Sequence, residues 1–187
     1  MAGIKNNDIT GIVNGKSVGL GVDSSTHTIE TIDYAHHEIH SGSHYYMEGF
    51  VDLDNEDELN IQLITPAGPK QSHFLWSIAS NGILETYLYE DPTSGMTGGS
   101  VVSVLNNDRN STKQSGMVIT NGVADPSSVG TLISSSSWGS RNISGSDRRE
   151  NEIILKEDSI YLRKFISGAN NNLVSFRADW YEHSPKD

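Results

Sequence analysis

Apolar and polar residues alternate along most of this chain, in short runs broken by turn formers. The clearest run is Leu59-Asn60-Ile61-Gln62-Leu63-Ile64-Thr65, which has one apolar and one polar face at period two. Leu84-Glu85-Thr86-Tyr87-Leu88-Tyr89-Glu90 repeats the pattern. In the run 174–182, Val174, Phe176, Ala178 and Trp180 share one face. A slip of one residue there would bury Ser175, Arg177 and Asp179, so the register is tightly set. Further strands are predicted over 45–53, 73–79, 101–105, 117–120, 130–135, 152–156 and 160–166. Pro66-Ala67-Gly68-Pro69 and Asp125-Pro126 mark turns, and Asn81-Gly82 reads as a tight two-residue turn. About ten strands at short spacing, with no helical crossovers, predict an all-β fold, an antiparallel β-sandwich or barrel.

The first 31 residues break this rhythm. Gly3, Gly11, Gly15, Gly19 and Gly21 interrupt every apolar run. Val18-Gly19-Leu20-Gly21-Val22 alternates apolar residues with glycine, so one face of such a strand is bare backbone. Two readings stand: a disordered tail, or an extended N-terminal arm that orders on a partner through Val18, Leu20 and Val22. The domain organisation is therefore an arm over 1–31 and a β-sandwich over 32–187.

Between them, residues 32–43 predict one or two helical turns, with Asp33 able to cap and Gly42 able to stop the helix. His36, His40 and His44 recur every four residues. Two such imidazoles can chelate a divalent ion, with Asp33 or Glu38 adding oxygen. His37-Glu38-Ile39-His40 lacks the spacing of the H-E-x-x-H zinc motif, however. The reading taken is that His36, His40 and His44, with Tyr45 and Tyr46, pack at a subunit or partner contact, without a metal. The sign of any histidine-linked pH dependence stays open, because burial and nearby carboxylates act in opposite directions.

Composition narrows the partners. The 187 residues carry a formal net charge of -11 and no cysteine. Such a surface repels phosphate backbones, so no nucleic acid is expected. No apolar run approaches the roughly 18–20 residues of a membrane span. The N-terminus has no apolar signal segment, so the chain is expected to be made in a cytoplasm and not exported by that route. The segment 139–149 is the most basic stretch, and Arg141, Arg148 and Arg149 sit either in a solvated loop or at a contact with an acidic surface. The chain has no G-x-S-x-G elbow and no Walker-type phosphate loop. Asp52-Leu53-Asp54-Asn55-Glu56-Asp57 lacks the glycine of a calcium loop. No enzymatic role and no cofactor are expected.

The run Ile32-Asp33-Tyr34-Ala35-His36-His37-Glu38-Ile39-His40-Ser41-Gly42-Ser43-His44-Tyr45-Tyr46 resembles the domain start of a group of small tailed-bacteriophage virion proteins. Leu88-Tyr89-Glu90-Asp91, Asn106-Asn107-Asp108-Arg109-Asn110-Ser111, residues 152–166 and Trp180-Tyr181-Glu182-His183 match the same group in order. The resemblance spans about residues 32–183 and leaves the arm uncovered. It implies a jelly-roll sandwich acting as a capsid decoration or cement protein on the virion surface. Its partner would be the major capsid protein, and it would be a homo-oligomer, a trimer foremost. The resemblance supplies no catalytic residue. The runner-up function is a receptor- or carbohydrate-binding fibre or tail module on the same sandwich.

Overall fold

The computed structural model describes residues 10–13, 16–19, 34–93, 96–139, 143–146 and 152–184. Two compact units divide the chain, Met1–His37 and Glu38–Asp187. The first contains a hairpin, β1 (Thr10–Val13) and β2 (Lys16–Gly19), with Val13 opposite Lys16. The sequence between these strands is Asn14-Gly15, the dipeptide most favoured in two-residue hairpins.

Among the described residues the one helix is α1 (Tyr34–His40), which includes Glu38, the first residue of the second unit. It ends where Gly42 takes a φ of 72°. Ser43 N–H donates to Glu38 C=O and Gly42 N–H to Ile39 C=O, each at 2.9 Å. This paired closure satisfies carbonyls that the last turn leaves open. Asp33 lies outside the described residues.

The second unit is all-β. Its strands are β3 (His44–Leu53), β4 (Glu58–Ile64), β5 (Gln71–Ser80), β6 (Leu84–Glu90), β7 (Ser100–Val101) and β8 (Leu105–Asn106). They continue with β9 (Val118–Asn121), β10 (Thr131–Trp138), β11 (Ile143–Ser146), β12 (Ile153–Leu155), β13 (Ile160–Ser167) and β14 (Asn172–His183). One sheet runs β10-β6-β13-β4-β9-β7; the other runs β11-β5-β14-β3-β8, with β12 also on β5. All pairings are antiparallel, so the predicted sandwich is what forms.

The strands pair as a nest. β3 pairs with β14, β4 with β13, β5 with β11 and β12, and β6 with β10. In each half successive strands go to opposite sheets, except that β11 and β12 both lie on β5. This is a long antiparallel hairpin wound around a core, the jelly-roll arrangement. Residues 91–130 form the far loop of that hairpin, and β7, β8 and β9 lie within it.

Three local expectations change. Asn81-Gly82 joins β5 and β6, which belong to different sheets, so it is a corner between layers and not a hairpin turn. Gly82 is required there by close approach: a Cβ would sit 2.8 Å from Asn172 Cγ. The run 101–105 is not one strand. Ser100–Val101 pairs with β9 and Leu105–Asn106 with β3, so the chain crosses between sheets while Val102 and Val104 pack on the core. Within 139–149, residues Ile143–Ser146 form a strand on β5, so that stretch is not loop throughout.

The core lies between the sheets. Ile61, Leu63, Leu84, Ile119, Phe165, Val174 and Ala178 have no exposed surface. Phe74 stacks on Trp180 at 5.6 Å, and Trp76 meets Phe165 edge-on. Arg163 is also buried in this layer: its guanidinium stands 5.4 Å over Trp76, and Nη2 donates to Thr86 Oγ1 at 2.8 Å. Among the described residues, no helix is long and apolar enough to cross a membrane.

Ile61 is fully buried beside Arg163 and opposite Asn121. Ile61→Ala is expected to lower stability by about 2–5 kcal/mol. Exposed Asp52→Asn should change it by less than about 0.5 kcal/mol. Urea unfolding of both variants, read at the midpoint with the slope unchanged, checks the pair.

Candidate functional site

The best-organised surface lies where the end of α1, the start of β3, the end of β14 and residues 105–117 meet. Its foundation is a buried carboxylate. Glu182, on β14, is 2% exposed. It accepts from Gly116 N–H at 3.1 Å, from Trp180 Nε1 at 3.2 Å and, closely, from the Ser115 hydroxyl. A carboxylate so far from water is retained only with its lone pairs satisfied, and here donors from the loop and from β14 satisfy them. Tyr45 adds a second anchor, donating its hydroxyl to Gln114 C=O at 3.1 Å. Lys113 Nζ reaches Ser41 C=O at 2.7 Å, and Asn106 Nδ2 reaches Gly42 C=O at 2.9 Å. The loop is thereby tied to the helix end and to both long strands.

On this foundation, the outer face of the β3-β14-β5 sheet carries a ladder of rings. Register places Tyr181 between His44 on β3 and His73 on β5. Tyr181 stacks on His73 at 4.5 Å and on His44 at 6.2 Å. His183, two residues along β14, lies 4.6 Å from the His73 ring, and their Nε2 atoms are 2.8 Å apart. Glu152 Oε1 accepts from Tyr181 OH at 2.7 Å and pairs with His73 Nδ1 at 2.5 Å. Asn107 Nδ2 meets His44 Nδ1 at 2.5 Å.

Along the same face the chemistry changes. Arg177 lies over the Tyr46 ring at 4.1 Å and grips Asp179 with two hydrogen bonds of 2.8 Å. It also reaches Glu48 at 3.2 Å and Asn107 Oδ1 at 3.3 Å. The Asp179 carboxylate, first by hydrogen bonding, holds the Arg177 guanidinium above its ordinary pKa. Beyond this charged group stand Phe50, 78% exposed, and Leu173, 47% exposed, opposite Ser175 and Asp52 respectively.

The sequence-predicted contact residues separate accordingly. Tyr45 is 2% exposed and belongs to the core against Trp180, so it is not a contact residue. The physical reason is parity: Tyr45 shares the inward side of β3 with Met47, whereas Tyr46 shares the outward side with Glu48. His44 faces outward, but its ring is buried in the Tyr181 stack. Tyr46 is half-buried under Arg177. His36 and His40 lie exposed on α1. Val18 sits in β2 opposite Gly11. Leu20, Val22, Arg141, Arg148 and Arg149 lie outside the described residues.

The ladder partners His73, His183, Glu152 and Tyr181, and the central Arg177, were not singled out as site residues. The available signal was that His73, Arg177, Asp179, Tyr181 and His183 occupy the polar phase of alternating strands. Which of them become neighbours depends on strand order, which periodicity alone does not specify.

Burial, with the Glu182 charge second, pushes the Tyr45 hydroxyl up to about 12 from 10.0. Burial also raises Tyr161. The folded state thus keeps these phenols protonated while the unfolded chain ionises. Stability is fully present below pH 10 and declines as pH rises from 10 towards about 12. Thermal melting across that window should show the decline. Tyr45→Phe should reduce its slope, with Tyr161 maintaining the remainder.

No family model matches this chain, and no curated protein or solved structure matches it either.

Proposed function

We propose that this protein is a structural virion protein that decorates the outside of a phage head. It binds the major capsid protein and cements the assembled shell, in keeping with the resemblance of residues 32–183. The observation that carries the reading is Phe50. A large aromatic, 78% exposed, stands mid-strand on β3, paired to β14 on one side, with Leu173 nearby and Arg177, Glu48 and Asp179 along the same face. An apolar anchor rimmed by polar groups on a rigid platform is the usual make-up of a protein-binding patch. Jelly rolls serve such roles in capsids. A protein that binds only the assembled shell stabilises it by mass action and needs no catalytic group.

Oligomerisation has support in β10. This strand, Thr131-Leu132-Ile133-Ser134-Ser135-Ser136-Ser137-Trp138, has no charged residue and, among the described residues, pairs with β6 alone. Open edges are usually blunted by charge or proline. An unblunted edge suits strand addition by the arm of a neighbouring subunit. Such a head-to-tail contact forms a trimer where its rotation closes after three copies.

The carbohydrate-binding reading has one specific support. Tyr87 and Tyr89 stack at 6.0 Å on the other sheet, on the phase of β6 that faces away from the core. Heads lacking this protein, mixed with it and imaged, should gain regular density on the shell. Phe50→Asp should reduce occupancy at least tenfold with an unchanged melting temperature. Density on tail fibres alone, together with glycan binding lost in Tyr87→Ala, would replace the capsid reading with the carbohydrate one. A strict monomer both in solution and on the particle would refute the trimer.

A further inference from the structure

Strand β3 is paired along its whole length on one side only. β14 lines that side from His44 to Leu53, whereas β8 covers the other side at Tyr45 and Tyr46 alone. Among the described residues, no strand continues from β8 along this edge. Two bonds fix which backbone groups face it. Asn107 N–H donates to His44 C=O at 2.9 Å from the β8 side, and Glu182 N–H donates to Ser43 C=O at 3.0 Å from the β14 side. Successive residues of a paired strand turn their amides to opposite edges, and the register with β14 runs unbroken to Leu53. The N–H and C=O groups of Glu48, Phe50 and Asp52 therefore point out of the open edge. The same three residues hold their side chains on the outer face, and all three are exposed.

We infer that this edge docks an extended segment of a partner protein, one that carries Lys or Arg on either side of an apolar residue at period two. Such a segment joins the sheet as a further strand, with main-chain bonds to Glu48, Phe50 and Asp52. Its apolar residue lies against Phe50, 78% exposed, and its cations face Glu48 and Asp52. Its alternate residues turn inward beside Val51 and Leu53, which pack with the core, so apolar side chains suit them.

Charge selects this occupant over a second copy of the chain. Two β3 edges meeting antiparallel about Phe50 would set Glu48 against Asp52 twice, on chains of net charge -11. Asp54, Glu56 and Asp57 continue the acidic run in the turn after β3. Carboxylates on an edge blunt it against like strands, and a basic strand turns the same charges into attraction. An edge that is only protected has no use for a bare Phe50 at its centre. Arg177 already reaches Glu48 at 3.2 Å, so Asp52 carries the larger share of the selection. The inference rests on reading Phe50 as the docking anchor, and adds the form in which the partner arrives.

Calorimetric titration of the full chain with the capped peptide Lys-Thr-Lys-Val-Phe-Val-Lys-Thr-Lys tests it. One saturable site per chain is expected. N-methylating the peptide's Phe amide, which would face β3, should weaken binding at least about tenfold, whereas N-methylating its two Val amides, which point away, should not. Asp52→Lys should weaken the unmodified peptide by a similar factor with an unchanged melting curve, and should bind the peptide with Glu in place of Lys more tightly than the wild-type chain does. Absence of saturable binding by the wild-type chain would overturn the proposal. So would equal loss from both N-methylated peptides, or a site that survives in Asp52→Lys. A wild-type dimer that Phe50→Asp dissolves would put a second copy on the edge instead. On phage heads the two readings part. Decoration lost in Phe50→Asp but indifferent to excess peptide keeps the capsid reading and removes the added strand; peptide binding without decoration does the reverse.

Discussion

Strand β14 is the member on which the sandwich depends. It is paired on both sides for most of its length, with β3 from Asn172 to Tyr181 and with β5 from Val174 to His183. Its inward side supplies Val174, Phe176, Ala178 and Trp180 to the core, all 5% exposed or less. Its outward side supplies Arg177, Asp179, Tyr181 and His183 to the ring ladder and charged centre. One strand in one register therefore sets both the packing of the interior and the chemistry of the surface. A shift by one residue would exchange these two sets, placing an arginine and an aspartate among the aromatics.

The second constraint is the treatment of buried polar groups. Glu182 and Arg163 are both charged and almost inaccessible. Glu182 collects hydroxyl, amide and indole donors, and so fixes the otherwise irregular 113–117 segment against β14. Arg163 lies against the faces of Trp76 and Phe165, where ring electrons supply part of what water would. Exchanging either for a hydrophobe changes more than a contact, because the groups that now point at it would lose their partner in a dry environment.

Most of the fold was legible because alternation is a local property. The runs at 59–65, 84–90 and 174–182 predicted β4, β6 and β14 to within a few residues, and Gly42 predicted the end of α1. Asn81-Gly82 misled because turn chemistry reports a change of direction and not which sheet the next strand joins. The 101–105 run misled because its valines do face the core, yet from a chain crossing between layers. Tyr45 and Tyr46, adjacent and chemically alike, show the limit most clearly. Parity sends one inward and one outward, and only the pairing of β3 with β14 says which. The His73–His183 pair required still more: residues 110 positions apart brought to one spot by strand order.

The nest of paired strands bears on how the protein is made. Its central strand, β14, is the last of those named here to leave the ribosome. Until residues 172–183 emerge, β3 and β5 have no common neighbour, and Phe74 lacks Trp180, on which it stacks. Synthesis therefore supplies every strand of the β10-β6-β13-β4-β9-β7 sheet before the strand that joins β3 to β5 in the other. Long-range pairing of this kind is slow and exposes sticky strands meanwhile. A chain stopped before β14 would hold every strand of one sheet while the other lacked the strand between β3 and β5.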